Sequence, residues 1–205
     1  MIAVIDYGMG NLASVHKALQ RAGGDARLVR TAGELLGASK IVLPGVAAFG
    51  DAIEQLRRQG LVEPIVQAVR GGVPYLGFCL GLQMLFNVSY ELGQHTGLGL
   101  LTGKVVRFDW DGLGGRRLAV PHMGWNQLRL RGNCPLFRGI ADGAYAYFAH
   151  SYHVVPMEDA VVAATTDYGY DFVSAVWKDN IFATQFHPEK SQAVGLQILS
   201  NFVSL

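Results

Sequence analysis

The chain has 205 residues, 50% of them hydrophobic and 16% charged, with a formal net charge of +1. That length and composition fit one globular domain with ample room for a core, and the near-zero charge argues against nucleic acid or an anionic membrane surface as a partner. No apolar run reaches the roughly 18 residues of a membrane span and no basic, signal-like segment opens the chain, so a cytoplasmic setting is expected.

Ile2–Asp6 is an apolar run that stops at Gly8 and predicts a first strand. Leu12, Val15 and Leu19 fall at i, i+3 and i+7 and predict a helix, with Asn11 as its N-cap. Between them, Gly8-Met9-Gly10-Asn11-Leu12-Ala13 matches the G-x-G-x-x-[GA] pattern of dinucleotide-binding turns. The acid that would hold a ribose is missing from the end of the second predicted strand, Arg27–Val29. Asp25 precedes that strand and Arg30 follows it. Any tight strand-to-helix turn needs such glycines, so a nucleotide-binding Rossmann-like protein stands only as a remote alternative. Lys40–Leu43 predicts another strand, running into the loop Leu43–Phe49. Val62, Ile65, Val66 and Val69 then place a helix within Leu61–Arg70.

Pro74–Phe78 is the next strand. It leads into Gly77-Phe78-Cys79-Leu80-Gly81, with Leu82, Leu85 and Phe86 at helical positions beyond. This is the layout of a nucleophile elbow, in which a strand ends in a strained turn that exposes one reactive side chain. Glycines on both sides leave room for that turn. A helix starting at the sulfur would favour the thiolate. A buried structural cysteine is the competing reading.

The second half is strand-rich. Lys104–Phe108, Val120–Leu128, Tyr145–His150, Val161–Thr165, Phe172–Trp177 and Ile181–Gln185 alternate with Gly and Asp turns. A closing helix carries Val194, Ile198, Leu199 and Phe202. The expected fold is α/β, a single domain over residues 1–205. It has a central mixed, mostly parallel sheet with helices on both faces and an antiparallel excursion before the last strand.

Ile181–Gln185 runs into Phe186-His187-Pro188-Glu189. In an extended segment His187 and Glu189 lie on one side, and Pro188 biases His187 toward extended backbone. A thiolate at Cys79 needs a base and the base an orienting acid, which His187 and Glu189 supply. Charge developing on an attacked carbonyl oxygen needs two N–H donors. The amide of Leu80 is one, and the loop holding Gly45 and Val46 offers the other. His122, His150 and His153 show no metal-ligand spacing and read as packed imidazoles, so neither a metal nor a cofactor is expected. Cys134, in a loop, is assigned no role.

Gly-Phe-Cys-Leu-Gly-Leu-Gln at 77–83 and Phe-His-Pro-Glu-Lys-Ser at 186–191 resemble the class I, or triad-type, glutamine amidotransferases. Asp6–Leu12, Pro121–Asn126 and Tyr147–Tyr152 extend the likeness from the first strand toward the last helix. The resemblance implies L-glutamine as substrate, glutamate and ammonia as products, and a Cys79-His187-Glu189 triad. It further implies that Gln83 and Glu91 hold the amide and amino ends of glutamine. Ser151 and Tyr152 would hold its α-carboxylate through backbone groups. Trp125, Tyr147 and Lys190 would face a partner, a (β/α)8-barrel cyclase subunit that consumes the ammonia. The family usually has Gly where this chain has Ala47. A bridge between Cys79 and Cys134 would abolish such an activity, which again points to a reducing cytoplasm. The order Cys, His, Glu departs from α/β hydrolases, where the acid precedes the histidine.

Overall fold

A computed structural model of the chain describes residues 1–110 and 118–205. The first half runs β1 (Ile2–Ile5), α1 (Leu12–Arg21), β2 (Ala26–Val29), α2 (Ala32–Leu35), β3 (Lys40–Leu43), α3 (Phe49–Arg58), α4 (Val62–Arg70), β4 (Tyr75–Phe78) and α5 (Leu80–Gln83). Strands then dominate: β5 (Phe86–Ser89), β6 (His95–Thr96), β7 (Leu101–Arg107), β8 (His122–Gln127), β9 (Arg129–Leu130) and β10 (Tyr145–His150). After these come β11 (Tyr152–Pro156), β12 (Val162–Asp167), β13 (Asp171–Lys178), β14 (Ile181–Thr184) and the closing helix α6 (Gln192–Val203).

Among the described residues the main sheet has the order β2-β1-β3-β4-β14-β13-β11-β7-β5-β6, with β12 attached at β13 and β9 at β12. The run from β2 to β14 is parallel. β14, β13, β11 and β7 then pair antiparallel in turn. The expected α/β architecture, with its antiparallel excursion, is the one observed. β8 and β10 leave the main sheet and form a separate antiparallel ribbon.

Alternation along the central strands divides the core into two layers, as a period of two requires. Ile2, Val4, Val42, Leu76 and Phe182 face α1 and α6, alongside Val15, Leu19, Ile198 and Phe202. Ala3, Ile5, Ile41, Tyr75 and Ala183 face α3 and α4. The helix α3 begins at Phe49, where the sequence pattern predicts only the end of a loop. Its Phe49, Ala52, Ile53 and Leu56 are all buried at i, i+3, i+4 and i+7 spacing. Burying Phe49, Ile53 and Leu56 contributes about 1.5–3 kcal/mol each, which holds a helix too short to persist alone.

Two local readings need correction. The apolar spacing at Leu82, Leu85 and Phe86 does not continue as a helix. α5 is one turn, and Phe86 begins β5, which pairs with β7 and β6. The Leu98 and Leu100 N–H groups donate to the Met84 and Leu85 carbonyls, so pairing across the chain takes the place of further helical bonds. Asn11 sits at the start of α1, but its side chain makes no capping bond there.

Candidate active site

The turn after β4 is strained in the way an elbow requires. Cys79 has φ 50 and ψ −101, a region that residues bearing a Cβ rarely adopt. Its N–H donates to the Thr184 carbonyl at 2.7 Å, and its carbonyl accepts from Leu82 and Gln83 N–H at 3.1 and 3.2 Å. A Cβ on Gly77 would come within 2.5 Å of Gly81, and one on Gly81 would collide with the Leu43 carbonyl. Only glycine fits either place. The buried Tyr75 hydroxyl donates to the Gly81 carbonyl at 2.8 Å and pins the far side of the turn.

β14 lies parallel beside β4 with Thr184 opposite Phe78, so the C-terminal ends of the two strands open onto one place. His187 leaves β14 with extended backbone (φ −100, ψ 98). Glu189 reaches it through a 3-10 turn over Pro188–Lys190 rather than along a continuing extended segment. His187 Nδ1 and Glu189 Oε1 are 2.9 Å apart, and the two side chains are only 3% and 2% exposed. Burial opposes a charge on His187. The adjacent Cys79 and Glu189 outweigh it and raise the imidazole pKa to about 10. His187 Nε2 is buried without a hydrogen-bond partner among the described residues, so it is open to a reacting group. The His187 N–H donates to the Tyr147 carbonyl at 2.9 Å, and the Ser191 hydroxyl donates to the His187 carbonyl at 2.7 Å.

Cys79 and His187 line a cleft of about 460 Å³, shared with Val46, Leu80, Gln83, Glu91, Ser151, Tyr152 and Lys190. Gly45 packs against the elbow, since a Cβ there would meet the Tyr7 hydroxyl and lie 3.0 Å from Leu80 Cβ. The buried Tyr7 hydroxyl donates to the Pro44 carbonyl at 2.9 Å and fixes the loop from beneath. Among the described residues no backbone carbonyl takes the Leu80 N–H, which leaves it free for a ligand at the start of α5. The family departure at Ala47 also lines the cleft, as does Asn11.

Gln83 and Glu91 reach the cleft but are already engaged. Gln83 Nε2 donates to the Tyr152 carbonyl at 3.1 Å and to Gln185 Oε1 at 3.2 Å. Glu91 Oε2 accepts from the Phe49 N–H at 2.8 Å and closes the start of α3. Sequence reasoning gave no role to Gln185, whose Nε2 lies 3.4 Å from the Cys79 sulfur. Its only sequence signal is a polar side chain at the end of an apolar strand.

The three histidines form a neutral scaffold behind Ser151–Tyr152. His150 Nδ1 meets the Tyr152 carbonyl at 2.7 Å, so His150 Nε2 accepts from His122 Nδ1 at 3.1 Å and His122 Nε2 accepts from Asn126 Nδ2 at 3.3 Å. Burial lowers His122 to about 4 and His150 to about 3, and it lowers His153 as well. Trp125, Tyr147 and Lys190 come together beside the cleft. Tyr147 stands opposite Trp125 across β8–β10, with ring centroids 6.0 Å apart, and Lys190 Nζ lies 5.7 Å from the Tyr147 centroid. Trp125 is 45% exposed, with Met123 (63%) and Tyr145 (53%) beside it.

Against the G-x-G-x-x-[GA] alternative, Gly8 and Gly10 both have positive φ and serve the turn. Arg30 closes the end of β2 by donating to Asp6 Oδ2 at 2.6 Å.

A cysteine in a strained turn beside a buried His-Glu pair, at the C-terminal ends of adjacent parallel strands, is an arrangement suited to thiol chemistry on an amide. A family model described as glutamine amidotransferase class-I matches residues 3–205, and the chain belongs to that family. It is 54% identical over 203 residues to the "Imidazole glycerol phosphate synthase subunit HisH" of Syntrophotalea carbinolica, covering 98% of each chain. The protein of the same name from Geobacter sulfurreducens is 52% identical, with 98% and 97% covered. The structure titled PurLQS from Thermotoga maritima superposes with a TM-score of 0.76 at 20% identity, covering 99% of this chain and 97% of that one, a likeness of fold.

Proposed function

We propose that the chain, as one domain spanning residues 1–205, is the glutaminase subunit of an imidazole glycerol phosphate synthase. The observation that carries this reading is a cysteine in a strained turn beside a buried His187–Glu189 pair, in a chain about half identical throughout to proteins of that name. The Cys79 thiolate attacks the side-chain carboxamide carbon of L-glutamine. The Leu80 amide and the Gly45–Val46 loop hold the oxyanion, where each donor is worth roughly 10²–10³ in rate. His187 gives its Nε2 proton to the departing nitrogen, releasing ammonia and leaving a γ-glutamyl thioester. His187 then takes a proton from the attacking water, and glutamate leaves with the thiolate restored. Glu189 keeps the imidazole oriented and stabilises its charge.

In this reading Gln83 holds the side-chain amide end of glutamine, while Glu91 holds the α-amino group and the Ser151–Tyr152 backbone the α-carboxylate at the other end. Ammonia passes to a (β/α)8-barrel cyclase subunit in a heterodimer. There it completes imidazole glycerol phosphate and an aminoimidazole carboxamide ribotide, a step of histidine biosynthesis. The Trp125-Tyr147-Lys190 face beside the cleft supports that docking, since exposed aromatics rimmed by charge suit a partner surface. The two thiols, Cys79 and Cys134, are buried and unpaired, consistent with a cytoplasmic setting. Among the described residues no helix is long and apolar enough to cross a membrane.

Two measurements test the reading. An electrophilic glutamine mimic is expected to label Cys79 and spare Cys134, and labelling of Cys134 alone would overturn the assignment. Ammonia release from glutamine is expected to be low for the lone chain and to rise by orders of magnitude with the cyclase and its nucleotide. Equal turnover in both states removes the partner from the mechanism and leaves the triad.

A further inference from the structure

Gln185 is fully buried at the end of β14 and belongs to no part of the triad. Its backbone N–H donates to the Ser174 carbonyl at 2.8 Å, which fixes its position on the sheet. Its side chain spans Gln83 and Cys79, with Nε2 at 3.4 Å from Sγ and Oε1 at 3.2 Å from Gln83 Nε2. Amide orientation follows from these partners. Gln83 must present its NH2 group, because the same nitrogen donates to the Tyr152 carbonyl at 3.1 Å. Turning the Gln185 amide over would set two NH2 groups against each other and bring a carbonyl oxygen against the sulfur. The bond between the two amides would become a repulsion, and a thiolate at Cys79 would meet an acceptor in place of a donor. The network therefore commits Gln185 to offering an N–H to the nucleophile.

We propose that Gln185 is a catalytic residue of the glutaminase reaction, donating a hydrogen bond to the Cys79 thiolate, and that Gln83 positions it by accepting no other orientation of its amide. This rests on the reading of Cys79 as the nucleophile. An N–H donor stabilises an anionic sulfur more than a neutral thiol, and in a buried site that difference is not diluted by water. His187 supplies charge from one side, while Gln185 supplies a neutral donor from the neighbouring strand. The same donor restores the thiolate as leaving group when water expels it from the thioester. Gln83 thus has a second duty. One nitrogen holds both the Tyr152 carbonyl at the carboxylate end of the cleft and the donor at the sulfur end, tying the two ends of the substrate site together.

The test uses the full chain, alone and with its cyclase. Gln185→Met keeps the volume and deletes the donor. The rate of Cys79 alkylation by iodoacetamide, followed by peptide mass spectrometry, is expected to fall roughly 10-fold at neutral pH, the scale of one hydrogen bond to a charged group. At alkaline pH it should converge on the parent rate, so that the whole profile moves to higher pH. In the complex, kcat for glutamine should fall with little change in KM. Gln83→Met, which frees the Gln185 amide to turn, should move the alkylation profile in the same direction by less, and it replaces Gln185→Met if that variant does not fold. An alkylation profile that superimposes on the parent's, or one lowered equally at every pH, overturns the proposal. Loss of the underlying nucleophile assignment would show differently, as a Cys79→Ala chain that still hydrolyses glutamine.

Discussion

Cys79 carries the strain of the site. A non-glycine residue at φ 50 and ψ −101 costs on the order of 1–3 kcal/mol, which the surrounding bonds to Thr184, Leu82 and Gln83 must hold in place. His187 is the group whose loss should cost most. His187→Ala is expected to lower glutamine turnover by roughly 10²–10⁴-fold, the usual worth of a positioned acid–base group. Glu189→Gln keeps a neutral oxygen near Nδ1 and should lose less. Since Glu189 is one of the groups that raise His187, the alkaline limb of the turnover–pH profile should move to lower pH in that variant. Normal turnover by His187→Ala with its partner present would end the triad assignment, and an unmoved alkaline limb in Glu189→Gln would end the role given to the carboxylate.

At the scale of elements, the loop between β3 and α3 is held between two rigid neighbours. Tyr7 grips the Pro44 carbonyl and Leu80 abuts Gly45. Gly45→Ala would drive a methyl group into the Tyr7 hydroxyl and toward Leu80 Cβ. The expected outcome is a fall in kcat of about 10²-fold from a displaced oxyanion donor, with destabilisation of about 1–3 kcal/mol from overpacking. Turnover close to parental would show that the loop donates nothing. The alternating core strands are readable in the sequence, and the elbow and His-Pro-Glu with them, because each is a local pattern. What stays obscure there is set by distant pairing. Leu82, Leu85 and Phe86 have helical spacing, yet Phe86 is claimed by β7. Phe49, Ala52, Ile53 and Leu56 carry helical spacing, yet no helix is expected there, because the proline and glycine before them make the stretch read as loop. The partnership of Trp125 with Tyr147 needs the β8–β10 ribbon, which no spacing along one strand reveals. Gln185 is visible only as a polar residue out of place.

For the whole molecule, pH acts through the buried imidazoles with opposite signs. His122 and His150 are held neutral, lowered to about 4 and about 3 from a free value of about 6.5. The unfolded chain binds protons at these sites first, so stability should drop as pH falls from about 6.5 toward 4. His187 is raised to about 10, so its contribution is complete below about 6.5 and fades as pH climbs toward 10. Thermal unfolding midpoints across this range should therefore fall on both flanks. His122→Asn, which cannot titrate, should shallow the acid flank, and an acid flank as steep as the parent's would place the effect elsewhere.

The position of β14, between β4 and β13, bears on how the protein is made. A ribosome that has reached Asn180 has delivered the nucleophile and its glycines, but neither the strand that bonds the Cys79 amide nor the imidazole beside it. The centre of the sheet is closed by the last of the described strands to emerge. With Cys79 as nucleophile and His187 as its proton carrier, a chain cut short before β14 holds one without the other, and unfinished copies leave glutamine untouched.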